Sequence, residues 1–155
     1  MAKIRLVRVD SRLGHGKTIR DILAKYDLEK IIFANDRIFG DEIHKKIERL
    51  TVPAGVEVNF LKVADVKDFL DQKNGEYFVL VENTSDLESL IDRKIQIEEV
   101  NLGIINLAIG KRILTEMVAA DDCDLNIFRK LYDLGIETYI RKQITDPKIS
   151  IEDFL

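Results

Sequence analysis

Short apolar runs alternate with helix-period segments along the whole chain, and this alternation narrows the fold more than any other feature. The runs are residues 3–9, 30–34, 56–60, 77–81, 98–102 and 136–141. Between them, residues 17–26, 38–50, 64–71, 85–92 and 124–134 carry apolar side chains at helical spacing. The runs are nearly continuous in Val, Ile, Leu and Phe, the pattern of strands covered on both faces. Gly75, Gly103, Gly110 and Gly135 punctuate the joins, and Pro53-Ala54-Gly55 makes a firm turn. Strand-then-helix order predicts an α/β fold: a three-layer, doubly wound, mostly parallel sheet with helices on both faces. Residues 111–119 fit neither period cleanly and are expected to supply an antiparallel edge strand. With no repeat, linker or low-complexity segment, residues 1–155 read as a single domain.

Composition removes several function classes. The chain is 46% hydrophobic and 34% charged, with a formal net charge of −4 and no block of like charges. That balance argues against generic binding to nucleic acid or to an anionic membrane. Cys123 is the single cysteine, which excludes an internal disulfide and a cysteine-ligated zinc site. Its acidic neighbours Asp122 and Asp124 argue against a nucleophilic thiolate. No apolar run approaches a membrane span and the N-terminus lacks a signal-peptide core, so the expected setting is the cytoplasm.

The chemistry concentrates in residues 10–18, Asp-Ser-Arg-Leu-Gly-His-Gly-Lys-Thr, between the first strand and the first helix. Ligands of doubly wound sheets sit outside the carboxyl ends of strands, where the strand order reverses. His15 is the sharpest candidate: a neutral imidazole can attack phosphorus and hold the phosphoryl group as a phosphoramidate. An unperturbed pKa of about 6.5 leaves the ring mostly neutral near pH 7. An isolated loop histidine is more often inert, but two neighbours shift the balance. Gly14 and Gly16 let the backbone approach a ligand, and the following helix N-terminus favours anions. Arg12 is the candidate clamp for phosphoryl oxygens, against the alternative of a solvated charge paired with Asp10. Asp10 is expected to hydrogen-bond one imidazole nitrogen and fix the tautomer, or else to be a plain turn residue. Arg8 alternates with Asp10 and Arg12, and its direction is not set by pattern.

Ser11 to Thr18 also lies one residue from the phosphate-binding pattern G-x-x-x-x-G-K-[ST], with Ser11 in place of the first glycine. Lys17 and Thr18 would then contact a nucleotide, with Glu82 the best candidate for holding magnesium. His44, in the charged stretch Asp41–Arg49, reads as part of a solvated face. Asp121-Asp122 and Thr84-Ser85 read as helix starts. Asn35, Asp36, Asn83, Thr84 and Gly103 are expected on the same rim as His15, and Arg141-Lys142 ends the last parallel strand.

Arg8-Val-Asp-Ser-Arg-Leu-Gly-His-Gly16 resembles the R-V-D-x-R-L-I-H-G-Q opening of IIB subunits of the mannose/fructose/sorbose-type bacterial phosphotransferase system (PTS). The likeness continues through Ile32-Phe-Ala-Asn-Asp36, Pro53-Ala-Gly-Val56, Val100-Asn-Leu-Gly103, Leu134-Gly-Ile-Glu and Thr145-Asp-Pro147, and so spans the chain. The resemblance implies a cytoplasmic phosphocarrier, peripherally associated with membrane transport components and needing no cofactor. A IIA domain would load the loop histidine, here His15, which would pass the group to a sugar delivered by IIC and IID. Asp10 and Arg12 match the flanking positions, with Arg12 as the transition-state clamp; from the loop residues themselves, Gly14, Gly16, Lys17 and Thr18 are expected to contact the phosphate. A homodimer is compatible with the resemblance. Three positions depart from the pattern: Gly14 replaces a bulky aliphatic, Lys17 replaces Gln, and Ile104 follows Gly103 where a second glycine is usual. These departures keep two alternatives in view: a regulatory or interaction protein of the same fold that transfers nothing, and a P-loop nucleotide binder using Lys17.

Overall fold

The computed structural model describes residues Met1–Leu155. Seven strands form one sheet: β1 (Lys3–Asp10), β2 (Lys30–Ala34), β3 (Glu57–Leu61), β4 (Glu76–Val81), β5 (Glu99–Ile104), β8 (Glu137–Ile140) and β9 (Ile149–Ser150). Strands β6 (Arg112–Ile113) and β7 (Ala119–Ala120) pair separately. The helices are α1 (Gly16–Lys25), α2 (Asp36–Phe39), α3 (Glu42–Arg49), α4 (Val66–Asp71), α5 (Thr84–Asp92) and α6 (Asp122–Asp133). The sheet order is β3-β2-β4-β1-β5-β8-β9, and every pairing is parallel except β8 with β9. The chain leaves β1 through α1 toward β2 on one side, and later crosses from β4 through α5 to β5 on the other. β1 therefore stands at the reversal of strand order, and the loop after it opens into the crevice there.

Side chains alternate across the sheet between two cores. Leu6, Ile31, Phe33, Phe78 and Leu80 pack with Ile19, Ile22 and Leu23 of α1. Val7, Val9, Ile32, Val79 and Val81 pack on the opposite face with residues of α4, α5 and α6, such as Leu70, Leu87 and Phe128. The doubly wound prediction holds, with one refinement to the idea of uniformly apolar strands. Over β1, β5 and β8 the α1 face carries Arg8, Glu99, Asn101 and Tyr139, all buried. The segment after β8 crosses this polar strip, with Ile144 against the α1 core and the Lys148 ammonium 4.3 Å from the centre of the Tyr139 ring.

Two predicted elements are corrected. Residues 111–119 add no edge to the main sheet; Arg112 and Ile113 pair antiparallel with Ala120 and Ala119 in their own small hairpin. Lys111 anchors that hairpin to Asp124 of α6 at 2.7 Å, and the antiparallel edge strand is β9 instead. The expected helix over 38–50 is two helices. Asn35 caps α2 by accepting from the Ile38 N–H, and Asp41 caps α3 by accepting from the His44 N–H, so the chain restarts after Gly40.

Candidate active site

β1 ends in a buried ion cluster. Arg8, with 1% exposure, donates from Nε and Nη2 to Asp10 Oδ2 and from Nη1 to Asn101 Oδ1 at 2.6 Å. It also donates to the carbonyls of Arg141 and Lys142, so all three guanidinium nitrogens are used. Asp10, equally buried, also takes a forked pair from Arg12: Nε to Oδ1 at 3.1 Å and Nη2 to Oδ2 at 2.9 Å. Two guanidiniums against one carboxylate leave one positive charge, and Arg12 carries it to the surface. Gly103 makes room: a Cβ there would overlap the Arg8 guanidinium. Because Arg8 is held at every nitrogen, Gly103→Ala is expected to cost about 1–3 kcal/mol of stability. A urea midpoint equal to that of the wild type would contradict this.

Asp10 also shapes the loop. Its Oδ1 accepts from the Arg12 N–H at 2.9 Å, and its carbonyl accepts from the Leu13 N–H at 2.9 Å. Leu13 closes this turn with φ 58° and buries its side chain, a backbone state costing about 1 kcal/mol in a residue with a Cβ. His15 follows, exposed and extended (φ −140°, ψ 112°) at the N-cap of α1. Its side chain makes no cap hydrogen bond and the first turn holds no acid, so the leading N–H groups of α1 are open to an anion. The ring Nδ1 lies 3.2 Å from Thr18 Oγ1. Desolvation holds the imidazole below its usual pKa, aided by Arg12, Arg8 and Lys142 and opposed by Asp10. This direction favours the neutral ring, the form that keeps a free nitrogen lone pair.

The structure brings together Asp10, Arg12, Gly14, His15, Gly16 and Thr18, with two corrections to the expected roles. Asp10 does not bond the imidazole, because both of its oxygens are occupied by Arg8 and Arg12; Thr18 is the ring's partner. Lys17 turns along the exposed face of α1 to Asp21, at 2.8 Å. Glu82 is held by Asn35 at 2.7 Å and by Arg37 at 3.2 Å, so the elements of a nucleotide site are not assembled around Lys17. Asn35 and Asn83 serve as helix caps, and Thr84 is buried against Asp124. His44 lies 3.6 Å from Asp41 on the partly solvated side of α3. Arg141 and Lys142 reach the site through their carbonyls. Asn101 was missed by sequence reasoning; an amide in a central strand facing a buried arginine is the signal that could have found it.

Asp86, beside this rim, has its carboxyl pushed up to about 6 by burial, then by Asp36 and Glu82. A folded-state value above the ordinary 3.8 means that the native protein holds this proton more tightly than the unfolded chain does. Its contribution is therefore lost as pH rises through that interval. Asp86→Asn is expected to flatten this part of the pH–stability curve and to add about 1 kcal/mol above pH 7, after allowance for partial solvation. A gain confined to acid pH would contradict the assignment.

Residues 4–155 match the family model described as "PTS system sorbose subfamily IIB component". The sorbose-specific EIIB component of Klebsiella pneumoniae is 30% identical over 154 residues, which cover 97% of this chain and 94% of that protein. The mannose-specific EIIAB component of Escherichia coli (strain K12) is 31% identical over 157 residues, and here the chain spans 48% of the relative's length. Among solved structures, the IIBSor domain of the K. pneumoniae sorbose permease superposes with a TM-score of 0.84 at 28% identity. That match covers 97% of this chain and 94% of that one.

Proposed function

The chain belongs to the IIB components of the PTS sorbose subfamily, and on that premise we propose that His15 is its phosphoryl acceptor. A IIA domain presents the group in line with an imidazole nitrogen. The bond from phosphorus to the donor breaks as the bond to nitrogen forms, giving a phosphoramidate on His15. In the second transfer, a hydroxyl of a sugar held by IIC and IID attacks phosphorus, the P–N bond breaks, and the departing imidazole takes up the proton that the hydroxyl gives up. Arg12 and the open N–H groups of α1 meet the charge on the equatorial oxygens, so catalysis rests on positioning and charge stabilisation.

The observation carrying this reading is an exposed imidazole at the N-terminus of α1, beside a cluster with one uncompensated positive charge. No helix is long and apolar enough to cross a membrane. In this reading the sugar's passage falls to the membrane components IIC and IID, with which this chain associates peripherally in the cytoplasm. The relatives are named for sorbose, mannose, fructose and N-acetylgalactosamine, which sets the substrate panel. The test supplies phosphorylated IIA and membranes containing IIC and IID, and measures sugar phosphate. Formation that needs this protein supports the reading. Phosphorylation with no discharge to any sugar of the panel favours a regulatory role instead.

A further inference from the structure

The last turn of α3 carries a side chain that no step above uses. Glu48 is 5% exposed, and its Oε2 has no hydrogen-bond partner. An orphaned buried carboxyl oxygen lowers stability, so its presence calls for an explanation. It lies directly beneath the histidine loop: a Cβ added to Gly14 would overlap Oε2 and would stand 2.9 Å from Thr51 Oγ1. Thr51 in turn donates to the Glu48 carbonyl at 2.6 Å, and its own carbonyl comes within 3.7 Å of a Cβ placed on Gly16. The residues on both sides of His15 thus rest on one seat. Burial pushes the Glu48 carboxyl up, opposed by His44 on the same helix, the Gly14 N–H and Arg37 of α2, and reinforced by Asp10 of β1. His44 Nε2 is 4.0 Å from Oε1.

We propose that Glu48 is a positioning residue for His15. Its side chain fills the space under Gly14 and so sets the path of residues 14–16, keeping the imidazole and the open N–H groups of α1 trained on one point. Leu13, at φ 58°, enters the loop in a strained backbone state that persists only while its surroundings hold it. The pair is a matched volume: the chain lacks a side chain at Gly14 because Glu48 already occupies that space.

The proposal rests on His15 as acceptor, and a double-mutant cycle with two readouts separates the two ideas. Glu48→Ala removes about as many heavy atoms as Gly14→Ile adds. Each single change is expected to slow phosphoryl acceptance at least about tenfold in kcat, with KM for phosphorylated IIA little altered. The double variant is expected to return to within about threefold of wild type. Glu48→Gln keeps the shape and is expected to keep the rate.

The second readout is the titration of the His15 ring by NMR in the unphosphorylated protein. Each single change is expected to move the midpoint up toward about 6.5 as the ring gains solvent, and the double variant and Glu48→Gln are expected to bring it back. Gly14→Ala with Glu48→Asp gives a milder version of the same swap if a single variant fails to fold. Additive losses in the double variant, or a His15 midpoint indifferent to all of these changes, would overturn the proposal. Absence of phosphorylation in the wild type would sink the acceptor role, and the titration cycle would still decide for or against the seat.

Discussion

His15→Ala is expected to remain folded and to take no phosphoryl group from IIA, whereas His44→Ala is expected to take it at the wild-type rate. The two histidines are the only ones in the chain, so each serves as the other's control. The imidazole of His15 is exposed and makes no cap hydrogen bond, so its loss costs about 0.5 kcal/mol or less. The functional effect is all-or-none because no other nucleophile of this type stands at the crevice. Intact-mass spectrometry at alkaline pH, where phosphohistidine survives, reads the result directly. A phosphorylated His15→Ala protein would refute the assignment.

Arg8→Met is expected to damage both stability and transfer. The substitution keeps an apolar body of similar length and removes the guanidinium that joins β1, β5 and the segment after β8. Asp10 is left buried with Arg12 as its only cation, Asn101 Oδ1 and the Lys142 carbonyl lose their donor, and the Arg141 carbonyl keeps only Asn101 Nδ2. Removing one partner of a buried ion pair costs about 3–5 kcal/mol. In a chain of this size that lowers the melting temperature by about 10 °C. Asp10 also sets the turn that leads to His15, so phosphoryl acceptance is expected to fall even at temperatures where the variant is fully folded. A melting temperature within about 2 °C of wild type would show that the cluster is not the anchor described here.

The layers of the fold were legible because parallel strands buried on both faces leave continuous apolar runs, as in Tyr77–Val81 and Ile31–Ala34. Helix ends were less so. The break between α2 and α3 depends on Asp41 capping a new helix inside an unbroken helical period, and the period reads straight across it. The hairpin at 111–120 escaped because its two strands are two residues each, too short for any alternation to register.

In the site, residue types at 10–18 were enough to locate the chemistry, since loop glycines around a histidine at a helix start are local information. Side-chain direction was not local. Besides Asp10, Arg8 finds its partners 93 to 134 positions away in sequence, and a lone arginine in a strand gives no sign of them. The same arginine claims Asp10 and leaves the imidazole to Thr18, which reverses the expected hydrogen bond. Glu48 was hidden inside a helix of charged residues, where nothing but the folded structure marks one carboxyl as buried.

The most direct test is heteronuclear NMR of the wild-type protein, labelled on its histidine rings and phosphorylated by IIA. This account predicts a phosphorus resonance of the phosphoramidate class coupled to a ring nitrogen of His15, unmoved ring signals for His44, and loss of both the coupling and the phosphate in acid. Phosphate coupled to His44, or a phosphorylated protein in which the His15 ring signals stay where they were, would contradict it.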